Sequence, residues 1–134
     1  MSEEFQDQEE LLFRQAHPTF LQEGRLTSQL FKPTPKDQLR PSAYRSARTT
    51  AEASYIFHTK TLGFEAAGTW AVSVAECNVI GTLPMADPIT EPPEKANDAH
   101  VVLDMTHLVT RKEIEKAAAK LAEAARLRGR LFPE

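Results

Sequence analysis

The stretch "TWAVSVAEC", residues 69–77, carries the clearest alternation in the chain. Trp70, Val72 and Val74 alternate with Ala71, Ser73 and Ala75. A period of two, carried by an aromatic and β-branched residues, predicts a strand across the whole stretch. The following "NVIGTL" (78–83) continues that strand or pairs with it. A strand in the middle of the chain needs partners from the segments before and after it.

Upstream, "LLFRQAH" (11–17) reads as a first strand, stopped by Pro18. In "GRLTSQLF" (24–31), Leu26, Ser28 and Leu30 alternate against Thr27, Gln29 and Phe31, which predicts a second strand with some apolar character on both faces. "KPTPKDQLRP" (32–41) sets Pro33, Pro35 and Pro41 among Lys32, Lys36 and Arg40, so it is expected to be an exposed, stiff loop. "SAYRS" (42–46) is a short strand leading out of it. Ala53, Ile56, Phe57 and Leu62 follow helical spacing, and Gly63 suits a C-terminal cap, so a helix is expected from Thr49 to about Leu62.

Downstream, "PMADPITEPPEKANDA" (84–99) reads as a long acidic loop and "HVVLDM" (100–105) as the last strand. Ile114, Ala118, Leu121 and Ala125 form one stripe of a final helix from Thr110 to about Arg128, ended by Gly129. Its alanine-rich face suits close approach to a sheet. Residues 1–10, "MSEEFQDQEE", are expected to be a flexible acidic tail. The element order predicts an α+β fold. Residues 11–134 form a single domain, with a mainly antiparallel sheet of about five short strands and two helices, the longer one C-terminal.

The chain has 134 residues and a net charge of −3, an ordinary size for one domain with its own core. Cys77 is the only cysteine, so no internal disulfide can form. With no basic-then-apolar leader and no long apolar stretch, a cytoplasmic location and no membrane span are expected. Charge is uneven: Arg25, Lys32, Lys36, Arg40, Arg45 and Arg48 crowd one segment that holds a single acid, Asp37. A basic segment in an acidic chain suits an anionic ligand or partner.

No metal-ligand spacing links His17, His58, His100 and His107, and no metal site is expected. The phosphate-binding, dinucleotide-binding and nucleophile-elbow motifs are missing. Nucleic acid would have to be held by the basic segment with Phe31 and Tyr44, without any recognised motif and against a net negative charge, so it is not the expected partner. The binding set is therefore Arg14, His17, Ser28, Lys32, Lys36, Arg40 and His100, facing a protein partner or a small anionic ligand, with no resident cofactor. An alternative set for catalysis is Arg14, Tyr44 and Glu52. An Arg for the pyrophosphate, a Tyr for the ribose and a Glu for the developing cation suit ADP-ribosyl transfer from NAD as substrate. Glu52 has a competing role. Thr49-Thr50-Ala51-Glu52 fits a helix capping box, and Thr110-Arg111-Lys112-Glu113 repeats it at the final helix.

"LFRQAHP" (12–18), "TSQLFKPTPKD" (27–37) and "AHVVLD" (99–104), taken in order, resemble a group of small, mostly uncharacterised bacterial proteins. Their pattern reads R-x-x-H-P, S-S-x-x-F and a late P-x-H-x-x-V; this chain has Ser28-Gln29 at the serine pair. The resemblance implies a cytosolic bacterial accessory or interaction protein of a defence, toxin or mobile-element system. A fainter similarity, to RES-domain toxins of ADP-ribosyltransferase type, rests on Arg14, Tyr44 with Ser42 or Ser46, and Glu52. It implies NAD as substrate, although the G-G-R-W-N stretch of those toxins has no counterpart here.

Overall fold

The computed structural model describes residues 5–33 and 39–133; Lys36 lies outside the described residues. The strands of the main sheet are β1 (Leu11–Ala16), β4 (Ser42–Arg45), β5 (Gly68–Ser73), β6 (Leu83–Ala86) and β7 (His100–Asp104). Their order across the sheet is β5-β1-β4-β7-β6. Every neighbouring pair is antiparallel. β2 (Leu21–Gln22) and β3 (Arg25–Leu26) form a separate hairpin. The fold is α+β, and the longest of its helices is C-terminal.

One face of the sheet presents Leu12, Ala43, Val72, Val101 and Leu103. Against it lies helix α3 (Arg111–Arg128), with Ala118, Leu121, Ala122 and Ala125 buried. Alanines on that stripe keep the helix close, so Leu121 fills space that a second large side chain would crowd. Leu30 and Phe31, both fully buried, complete this layer. The other face holds Phe13, Tyr44 and Ala71 beneath Ala51 and Phe57. Those last two come from α1 (Ala51–Ile56) and the π-helical turn that follows it, Phe57–Thr61.

The stretch 69–77 behaves differently from its alternation. β5 ends at Ser73, and Val74–Ile80 forms a helix, α2. Ser73 Oγ accepts from the Glu76 amide at 3.1 Å, and Glu76 Oε1 accepts from the Ser73 amide at 2.8 Å. This reciprocal cap outweighs the strand pattern beyond Ser73. Val74 and Cys77, three apart, then bury on one helix face, and Gly81 at φ 103 closes the helix. The described residues thus hold three α-helices, not two. "NVIGTL" divides between the end of α2 and the start of β6, an edge strand inside the expected acidic loop.

"GRLTSQLF" is not one strand. Glu23 and Gly24 take positive φ, as a two-residue hairpin turn requires. Thr27 then caps a 3-10 turn, Ser28–Phe31. Leu30 and Phe31 are adjacent and both enter the core, which a two-fold pleat does not allow. The cap of α1 also lies one residue later than expected. Thr50, not Thr49, accepts from the Ala53 amide at 3.0 Å, and Glu52 is left exposed in the first turn. Thr110 does cap α3, accepting from the Glu113 amide at 3.1 Å.

Within the segment expected to be a flexible tail, residues 1–4 lie outside the described residues. Residues 5–10 are held against the sheet. Glu10 bonds Arg45 at 2.9 and 3.0 Å with both side chains buried, and Phe5 packs 4.3 Å from the Arg45 guanidinium carbon. At the chain's other end, the amides of Thr69 and Leu131 bond the carbonyls of Phe132 and Thr69 at 2.7 and 2.8 Å. This returning arm covers the outer edge of β5.

Candidate functional site

The residues singled out by the sequence fall into separate places. Arg14 donates from Nε and Nη2 to the Leu30 carbonyl, and from Nη1 to the Ser42 carbonyl at 2.6 Å. Its guanidinium lies 6.0 Å from the Phe31 ring centre. Arg14 therefore ties the 3-10 turn to β4. His17 caps the turn Pro18–Phe20 by accepting from the Thr19 amide at 3.1 Å, and its Nε2 lies 3.6 Å from Glu65. His100 Nδ1 sits 2.9 Å from the Asp87 carbonyl and 3.3 Å from the Asp87 carboxylate. Ser28 starts the 3-10 turn and is half-buried.

Arg14, Tyr44 and His100 do share a neighbourhood. Tyr44 is buried, edge-on to Phe57 and 6.1 Å from the His100 ring. Burial raises the Tyr44 pKa, and the nearby Arg14 charge opposes that rise. His58, which the sequence did not single out, belongs here too. It sits in the π-turn against Phe64, and burial first, then Arg14, pushes its pKa down to about 4. The imidazole is thus neutral at pH 7. His17 lies with Thr19, Phe20 and Glu65, and Glu52 is exposed in the first turn of α1, while Arg14 donates to the Leu30 and Ser42 main-chain carbonyls.

The basic loop is matched by acids from distant elements. Lys32 lies 3.8 Å from Glu115 and Arg40 lies 3.5 Å from Asp104. Arg48 lies 3.7 Å from Asp98, and Arg45 is bound to Glu10. The run that looks basic in sequence is largely neutralised in space. Arg25 is different: among the described residues it has no ion pair and no hydrogen bond from its side chain.

Arg25 lines a groove of about 740 Å³. Its walls are the β2–β3 hairpin (Leu21, Glu23, Gly24, Leu26) and the end of α3 (Glu123, Arg126, Leu127, Gly129, Arg130), with Trp70 between them. Arg126 Nη1 donates to the Leu26 carbonyl at 3.0 Å and so fixes the hairpin to the helix. Gly129, at φ 89, ends α3 and turns the chain back. Arg130 then crosses Gly68, where a Cβ would lie 2.6 Å from Arg130 Cδ. Gly68 is therefore needed for this close crossing. Arg128 is turned elsewhere, bonding Glu76 at 2.8 and 3.1 Å.

Three guanidiniums, two carboxylates and four large apolar side chains thus converge on one groove. The apolar part can hold a carbon skeleton, and the guanidiniums can grip an oxyanion. The sequence places Arg25 in the basic segment and Arg126 and Arg130 at a helix end where cations are favoured. Nothing local links them, since the contact that joins their elements spans 100 residues.

Among the described residues no group of three or more His, Cys, Asp or Glu is placed to hold a metal, and no helix is long and apolar enough to cross a membrane. Compared with protein-family models, curated proteins and solved structures, the chain gives no match.

Proposed function

We propose that this protein is a binding protein that receives a small organic anion in the groove between the β2–β3 hairpin and the end of α3. The observation that carries the reading is the meeting of Arg25, Arg126 and Arg130 with Trp70 around a cavity of about 740 Å³. Arg25 and Arg130 make no ion pair within the described residues, whereas Lys32, Arg40, Arg45 and Arg48 all do. The anion-binding role expected of the basic loop therefore moves to this groove. The bacterial, cytosolic accessory role implied by the resemblance is compatible with a ligand receptor of this size, and a buried, unpaired Cys77 suits a reducing compartment.

Trp70 is the only tryptophan and lines the groove, so the emission signal comes from a residue at the proposed site. The test is a titration of Trp70 emission with simple carboxylates and phosphates, in the wild type and in Arg25→Gln/Arg130→Gln. Saturable, arginine-dependent change supports the reading; change that survives the double substitution refutes it. No specific observation favours NAD chemistry by Arg14, Tyr44 and Glu52, because Arg14 donates to backbone and Glu52 is exposed. Equal NAD turnover, or none, in wild type and Glu52→Gln removes that reading.

A further inference from the structure

The proposal of an anion site leaves the ligand's class open, and the inference that follows rests on that proposal. We infer that the groove is built for a monoanion with an apolar body, a carboxylate on an alicyclic or alkyl skeleton, and that it discriminates against pyrophosphate and nucleotides.

The charge of the lining is the first reason. Arg25, Arg126 and Arg130 are set against Glu23 and Glu123, so the groove carries a surplus of a single positive charge. A monoanion matches that surplus. A polyphosphate brings several charges and faces two carboxylates that no base within the described residues neutralises.

The second reason is the backbone. Sites for phosphate chains use helix N-termini and glycine-rich loops, where amides point at the ligand. This groove lies at the C-terminal end of α3, bounded by its cap Gly129. The negative end of the helix dipole repels extra negative charge there. One arginine at a helix C-terminus is explained by that dipole alone; Arg25, which comes from the hairpin, is not.

The third reason is the carbon surface. Leu21, Leu26, Leu127 and Trp70 make up the apolar lining, and Leu127 is 83% exposed. The volume lies within the roughly 300–1,000 Å³ typical of small-molecule sites. A bare inorganic anion leaves this surface wet, whereas a cyclohexane ring or an alkyl chain covers it. Arg25 and Arg130, whose guanidiniums make no ion pair or hydrogen bond among the described residues, are left for the carboxylate; Arg126 already donates to Leu26.

The test uses the full chain and defined probes: cyclohexanecarboxylate, octanoate, the neutral cyclohexylmethanol, pyrophosphate and ATP. Binding is read by calorimetry and by Trp70 emission, and circular dichroism confirms that each variant is folded. The carboxylates are expected to bind at least tenfold more tightly than the neutral alcohol and than either polyphosphate. Arg25→Gln and Arg130→Gln are each expected to weaken carboxylate binding about tenfold. Glu23→Gln/Glu123→Gln adds two positive charges to the balance and is expected to strengthen pyrophosphate binding about tenfold. Pyrophosphate or ATP binding the wild type more tightly, with the same arginine dependence, overturns the monoanion inference and leaves the anion site standing. Binding that ignores both arginines, or no binding by any probe, overturns both.

Discussion

His58→Gln is expected to remove a slope in the acid response of stability. His58 has a pKa near 4 in the folded protein, against 6.5 for an ordinary histidine, chiefly because burial disfavours the imidazolium. Between those values the unfolded chain binds a proton that the folded chain refuses. Stability therefore falls as pH drops from 6.5 towards 4, and returns as pH rises. At pH 5.5 the unscreened cost is about 1.4 kcal/mol, from a tenfold protonation of the unfolded chain. The ring is only partly buried, so solvent screening reduces this to about 0.7 kcal/mol. The assay is urea denaturation at pH 7 and pH 5.5 for both proteins. The two proteins differ only at residue 58, so the difference between their pH responses isolates His58. Glu10, Glu76 and Asp104 have lowered folded pKa values, so their stability is lost mainly below their ordinary values of 4.5, 4.5 and 3.8, under this window. Equal pH dependence in wild type and variant refutes the placement of a neutral His58 beside Arg14.

Other substitutions follow from the same structure. Ser73→Ala removes the cap of α2 and is expected to lower stability by about 1 kcal/mol in urea titration, with an unchanged m-value. Glu10→Ala leaves Arg45 buried without its carboxylate and is expected to destabilise by about 3–5 kcal/mol; the wild type loses this pair's contribution as pH falls through the depressed pKa of Glu10. Gly68→Ala places a Cβ 2.9 Å from the Phe132 carbonyl oxygen as well as against Arg130, and is expected to cost about 1–3 kcal/mol and to expose the Thr69 and Leu131 amides to hydrogen exchange.

The antiparallel frame was legible because β1, β5 and β7 carry apolar residues at a period of two and α3 carries them at a period of 3.6. Helix α2 was legible in principle: Ser73-Val74-Ala75-Glu76 is the same device noticed at Thr110. Its first residues also continued a strand alternation, and periodicity over so few residues cannot arbitrate. β6 was hidden by Pro84. The Asp87 amide bonds the His100 carbonyl, which puts residues 83, 85 and 87 in the phase that faces β7, so the proline nitrogen points to the open edge, where no ladder bond is needed. That same proline blunts the edge against a further strand. The site was the least legible part. Charge along the chain marked Lys32 and Arg40, but Glu115 and Asp104 reach them only through the tertiary fold. The groove joins a turn near residue 24 to a helix end near residue 126, and only the packing of α3 on β5 brings them together.

The central claim is that Arg25 and Arg130 hold a carboxylate over Trp70. Its most direct measurement is the titration of wild type and Arg25→Gln/Arg130→Gln with cyclohexanecarboxylate, followed by Trp70 emission. The expected result is a saturable emission change in the wild type and a loss of at least tenfold in affinity in the folded double variant. An unchanged affinity in that variant, or an emission that stays flat in the wild type, contradicts the account.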